Sequence, residues 1–231
     1  MIGTHLRRVR ARALLISLSG IDGSGKSSAA NRLRETLHGM GYEVSVVWMR
    51  WDPKWAKQLV VAFRRVAYPA TVAVGIPSSE RRRLLRNPLV RLVWLAILST
   101  DYALQIHLQV VRKLRAGIIV VCDRYIFDSA VNLCFDLSLP PERAHEVLDR
   151  FPFSALPKPD TWFLLDVPVR VAFLRKADIT CESRLVFYRH AYLDLARTRG
   201  GITLDGTLDP DVLLSEIRSH VAEKLLSAWR E

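Results

Sequence analysis

Cysteine is scarce in this chain. The three residues, Cys122, Cys134 and Cys181, show no C-x-x-C spacing. That argues against a disulfide scaffold or a zinc ribbon, and an odd count without a metal pattern fits a reducing cytoplasm. Long apolar runs are missing too. Val66–Pro77 is uncharged but holds Pro69, Gly75 and Pro77, and it is shorter than the ~20 residues a bilayer span takes. Leu92–Leu98 is shorter still, so no transmembrane helix is predicted. Acidic residues are absent from 1–12, where Arg7, Arg8, Arg10 and Arg12 make a basic N-terminal tail. A secretory signal needs an apolar stretch with a cleavage site behind it. The stretch here, Ala13–Leu18, runs straight into a glycine motif that cleavage would destroy. A transit peptide is the alternative reading of the tail.

Acids are also few in 51–100. Asp52 and Glu80 stand against Lys54, Lys57, Arg64, Arg65, Arg81, Arg82, Arg83, Arg86 and Arg91. Trp48, Trp51, Trp55 and Trp94 lie in or beside this segment, which carries much of the formal net charge of +11. It reads as a basic helical insertion on the acceptor side of the fold. Its arginines face a phosphorylated ligand, solvent or an anionic membrane surface.

What the chain does have is Gly20-Ile21-Asp22-Gly23-Ser24-Gly25-Lys26-Ser27. It matches G-x-x-x-x-G-K-[ST] at every fixed position. The apolar run Ala13–Leu18 precedes it, and Ala29, Leu33, Leu37 and Met40 follow at helical spacing. Strand, glycine loop and helix in that order make a phosphate cradle of backbone N–H groups. Lys26 is expected at the β- and γ-phosphates of ATP, and the Ser27 hydroxyl at Mg²⁺. Gly20, Asp22, Gly23, Ser24, Gly25, Lys26, Ser27 and Ser28 are the candidate ATP-binding residues.

Further strands are predicted at 43–48, ending near Arg50, and at 118–122, 161–166 and 202–205. The run Ile118–Cys122 is continuously apolar, as in a buried parallel strand, and ends on Asp123-Arg124-Tyr125. A long helix from Asn87-Pro88 to Leu114, with a break near Ser99, lies before it. Helices are also expected over 168–177, 183–198 and 210–229. Strands alternating with helices predict an α/β fold of the P-loop NTPase type: five parallel strands with helices on both faces, forming one domain over 13–231. Ligands on such a sheet sit at the carboxyl ends of the strands, where Gly20, Arg50 and Asp123-Arg124 fall.

The order of motifs resembles the thymidylate kinase family of P-loop kinases. Besides the glycine motif, Ala116–Tyr125, Pro159–Pro168 and Phe187–Leu193 carry the likeness. The resemblance implies transfer of the γ-phosphoryl of ATP, with Mg²⁺, to a nucleoside monophosphate. It places Asp22 near the acceptor's sugar hydroxyl and Arg50 at the acceptor phosphate. It places Asp123 beside the Mg²⁺ and Arg124 between the two phosphates. It also implies a short lid over 176–184, with Arg175, Lys176 and Arg184 as candidates, and Asp205-Gly206-Thr207 near the adenine. The catalytic set is then Lys26, Asp123, Arg124 and Arg184.

Two positions depart from the family. Tyr102, in Thr100-Asp101-Tyr102-Ala103, stands where an arginine contacts the base, and Asn132-Leu133 replaces a Tyr-Gln pair. With Asp22, Arg50 and Arg124, Tyr102 and Asn132 complete the candidate acceptor site. Alternatives left open are a lipid-linked or glycan acceptor at an anionic membrane, with the protein peripheral to it, and an ATP-dependent nucleic-acid binder. Nucleic acid is not expected, since net charge alone shows neither groove nor motif. A homodimer is left open.

Overall fold

The computed structural model describes residues 13–50, 56, 58, 83, 85–175 and 182–227. The basic tail, nearly all of 51–84 and the lid residues 176–181, with Lys176, Trp51, Trp55 and Cys181, lie outside the described residues.

The five expected strands are present: β1 (Leu15–Ser19), β2 (Val44–Trp48), β3 (Ile119–Asp123), β4 (Thr161–Asp166) and β5 (Ile202–Asp205). They form one parallel sheet in the order β2-β3-β1-β4-β5. Side chains alternate across each strand and sort into two cores. Ile16, Leu18, Val121, Phe163 and Leu165 meet α1 (Lys26–Gly39) and α8 (Pro210–Ser227) on one face. Leu15, Val120, Cys122, Trp162 and Leu164 meet α2 (Pro88–Ile106), α4 (Ile126–Asp136), α5 (Ala144–Leu148) and α7 (Glu182–Arg199) on the other. Two shorter helices are α3 (Arg112–Arg115) and α6 (Val169–Arg175).

The break expected near Ser99 is not there. The long helix runs through Ser99, and its irregularity is a π segment at His107–Val111. With that segment it extends from Pro88 to Arg115, so Leu92–Leu98 is only part of a 28-residue helix. By length and composition alone this helix is long and apolar enough to cross a membrane. Its second half is committed inward, however, with Tyr102, Ile106 and Val110 in the core and Asp101 and Gln105 buried. Asn87 starts it, accepting hydrogen bonds from the N–H groups of Leu89 and Val90 at 3.0 and 3.3 Å, with Pro88 in the first turn.

β2 ends at Trp48, slightly before the expected Arg50. The last backbone link to β3 is Met49 N–H to Asp123 O at 3.3 Å, and Arg50 follows it exposed. The carboxyl ends of β1, β2 and β3 thus share one edge. Leu18 pairs with Asp123, and Trp48 with Asp123 on the other side.

Candidate active site

At the end of β1 the chain turns through three glycines with left-handed or otherwise restricted φ. Gly20 has φ +144° and Gly23 φ +85°, and a Cβ on either would lie 2.5 Å from a backbone oxygen, of Leu165 and Ala172 respectively. Only glycine fits both the angle and the approach. Gly25, at φ +89°, precedes α1 and brings no side chain to cap it. The first N–H groups of α1 are therefore left for a ligand at the positive end of the helix.

Lys26, 5 % exposed, folds back over this loop. Its Nζ donates to Ile21 O at 2.7 Å and Ser24 Oγ at 3.1 Å. Burial, with repulsion from Arg124, lowers its ammonium to about 7, against the pull of Asp128, Asp22 and Asp123. An anionic ligand in the loop would restore the charge.

β3 brings the next two groups to the same place. The Ser27 hydroxyl donates to Asp123 Oδ2, while Asp123 Oδ1 is buried with no hydrogen-bond partner among the described residues. A hydroxyl and a carboxylate oxygen short of a partner are the hard donors Mg²⁺ takes. No group of three or more His, Cys, Asp or Glu side chains among the described residues could hold a metal alone. Ser27 and Asp123 therefore fit a Mg²⁺ that draws its remaining oxygens from phosphate and water.

Arg124 sits at φ +73°, an uncommon angle for a residue with a side chain, and its N–H donates to Leu18 O at 3.0 Å. Its guanidinium lies between two carboxylates: Nη2 bonds Asp22, and Nη1 reaches Asp128 Oδ1 at 3.2 Å. From α7, the Arg184 guanidinium lies 3.9 Å from Asp22 and 5.4 Å from the Tyr188 ring centroid. Gly20, Asp22, Lys26, Ser27, Asp123, Arg124 and Arg184 thus share one small volume. Opposite charges come from β1, β3 and α7.

The other expected residues are placed differently. Asn132 is half-buried; its Nδ2 donates to Asp128 O at 2.7 Å and its Oδ1 accepts from Tyr188 at 2.7 Å. That leaves one N–H and one lone pair of the amide for a ligand. Tyr102 is 1 % exposed in the core, where its oxygen accepts from Ser129 at 2.8 Å. Arg50 lies exposed past β2. Arg175, at the end of α6, donates to Gly206 O at 2.8 Å. A cleft of about 440 Å³ opens there, lined by Gly25, Ser28, Arg32, Arg175, Gly206 and Thr207. It adjoins the glycine loop on the side of Asp205-Gly206-Thr207. Another cavity, of about 460 Å³, has a different lining, with Phe127, Lys158, Thr161 and Ile202, where β4 and β5 begin.

Asp128 and Tyr192 are the residues that sequence reasoning passed over. Asp128 is 1 % exposed in the first turn of α4 and touches Arg124 directly. Its only sequence signal was a place four residues after Arg124, and an acid in a first helical turn is commonplace. Tyr192 falls inside the Phe187–Leu193 motif, yet nothing in that motif says where its hydroxyl goes.

No family model matches the chain. Curated relatives do. The chain is 29 % identical over 193 residues to a probable thymidylate kinase of Pyrococcus horikoshii, covering 80 % of this chain and 83 % of that one. It is 27 % identical over 216 residues to probable thymidylate kinase 1 of Saccharolobus solfataricus, covering 91 % and 98 %. With a thymidylate kinase of Xanthomonas euvesicatoria it shares 32 % over 155 residues, 67 % of this chain and 57 % of the relative. Together with the parallel sheet and the glycine loop ending in Lys26-Ser27, these likenesses make the chain similar to thymidylate kinases over most of its length.

Proposed function

We propose that this protein transfers the γ-phosphoryl group of ATP to a nucleoside monophosphate, with thymidylate as the first acceptor to test. The observation that carries the reading is the meeting of Lys26, Ser27, Asp123 and Arg124 at the mouth of one glycine loop. The names of the relatives point the same way.

Two highly charged anions must be brought together, and the transferred group spreads its charge over three oxygens. The glycine loop and the start of α1 bind the triphosphate, with the nucleoside directed to the cleft at Arg175 and Thr207. Lys26, held by Ile21 O and Ser24, stays aimed into the loop. Ser27 and Asp123 would hold Mg²⁺, which when bound would supply positive charge to the phosphate oxygens. Arg124 lies between donor and acceptor and offsets their repulsion; Arg184 adds a second guanidinium from α7, and Arg50 holds the acceptor phosphate. An acceptor phosphate oxygen then forms the new bond to the γ-phosphorus. The bond from that phosphorus to the bridging oxygen breaks, and ADP leaves with the electron pair. No side chain becomes covalently modified, so positioning and charge supply the rate.

Base recognition differs from what a thymidylate kinase motif implies. Tyr102 is buried against Ser129 rather than carrying a cation, and Asn132 offers an amide edge tied to Tyr188. A buried hydrogen-bonding site discriminates strongly among bases. The acceptor therefore has to be measured across thymidylate, uridylate, cytidylate, adenylate and guanylate.

The test is ADP release from Mg-ATP with each monophosphate. One acceptor is expected to raise it at least tenfold over ATP alone, and Lys26→Ala is expected to lower that rate by about a thousandfold while the protein stays folded. Equal ADP release with and without every monophosphate would remove the reading. Arg50→Ala should raise KM for the acceptor more than for ATP.

A further inference from the structure

The least exposed charged group at the site has no part in the motif. Asp128 is 1 % exposed, and both of its oxygens are fully engaged. Oδ2 accepts from the Ser19 hydroxyl at 2.6 Å and from the Tyr125 N–H at 3.1 Å. Oδ1 accepts from the Tyr192 hydroxyl at 2.8 Å and from Arg124 Nη1 at 3.2 Å. These four donors come from the end of β1, the start of α4, the middle of α7 and the residue after β3. A carboxylate has about four lone-pair sites, so this one is filled. Burial, with the Asp128 carboxylate beside it, pushes the Tyr192 hydroxyl well above its ordinary value, so that it remains a donor.

Asp22, the other carboxylate on Arg124, differs in kind. It is 27 % exposed, sits at the open side of the loop and also has Arg184 near it. A guanidinium held by one fixed and one accessible carboxylate has a permanent partner and an exchangeable one. Arg124 needs such an anchor, because its φ of +73° does not by itself select where a long side chain points.

We propose that Asp128 is the positioning residue of Arg124: it fixes one edge of the guanidinium, leaving the edge now on Asp22 to pass to phosphate. Through Tyr192 the same carboxylate ties Arg124 to α7, the helix that carries Arg184, so the two guanidiniums are set by one buried group. The proposal rests on the phosphoryl-transfer reading for its purpose, but not for its test.

The test reads the Arg124 side chain itself by ¹⁵N NMR of the ligand-free protein, with Arg124→Lys identifying its signals. In the unmodified protein, hindered rotation about Cζ–Nε should give separate Nη signals for Arg124. In Asp128→Asn, which keeps the shape but loses the charge and one of the two acceptor oxygens, they should merge toward those of surface arginines. Arg124 signals unchanged in Asp128→Asn would overturn the proposal. If that variant does not fold, Tyr192→Phe removes a single donor to Oδ1; it should broaden or shift the Arg124 signals, and no change there counts equally against the proposal. Turnover adds a second reading. Asp128→Asn should lower kcat at least tenfold with KM for ATP within twofold, a split that a general loss of structure would not give. Should the unmodified protein transfer phosphate to no acceptor, the functional reading falls while the NMR result still decides the role of Asp128.

Discussion

Gly23 and Gly25 are both left-handed glycines of one loop, yet they should not respond alike to a methyl group. At Gly23 an added Cβ would lie 2.5 Å from Ala172 O and 3.1 Å from Ala172 C, backbone atoms of α6 that have little room to retreat. At Gly25 nothing lies within 4 Å, so only the backbone angle opposes alanine. Gly25→Ala should then cost ~1–2 kcal/mol, measured by urea denaturation. Gly23→Ala should cost at least about 1 kcal/mol more and weaken ATP binding, because the loop must move off α6. Equal costs for the two would mean that the close approach to α6 is not real. The glycine spacing made this loop legible from the chain alone, since the turn and its cradle of N–H groups are set within eight residues; the approaches of Gly20 to Leu165 and of Gly23 to Ala172 were not. Asp128 was not legible for the opposite reason. Its four donors come from positions 19, 124, 125 and 192, and only the folded chain brings Ser19 and Tyr192 to one carboxylate.

Among the elements, the strands were the easiest to read. Ile118–Cys122 is apolar throughout because β3 is covered on both faces, and the alternation in β1 divides between two cores for the same reason. Asp123 and Arg124 could be placed at the site because a strand's end fixes where the next residues emerge. The π segment at His107–Val111 left no such mark: Val110 and Val111 keep packing inward, and an extra residue per turn barely alters the apolar pattern. The start of that long helix is better defined. Asn87 caps two N–H groups, so Asn87→Ala should destabilise by about 1 kcal/mol and lower Tm by roughly 2–4 °C for a chain of this size. Asn87 is exposed and its side chain bonds the first turn of its own helix, so ATP affinity should be unchanged. A calorimetric scan with and without ATP checks both parts.

At the scale of the whole molecule, three chain segments far apart in sequence deliver charge to one edge of one sheet. β1 leads into the glycine loop and Lys26, β3 delivers Asp123 and Arg124, and α7 returns Arg184 and Tyr192. Topology does this, since the carboxyl ends of β1, β2 and β3 are neighbours in the order β2-β3-β1. The functional claim is that this edge moves a phosphoryl group between two bound anions rather than only releasing it to water. ADP release alone does not separate those outcomes; the fate of the γ-phosphorus does. With γ-³²P-labelled ATP, Mg²⁺ and the preferred nucleoside monophosphate, the label should appear in the nucleoside diphosphate, one label for each ADP formed. Label recovered only as inorganic phosphate, or left entirely in ATP with every monophosphate supplied, would contradict the account.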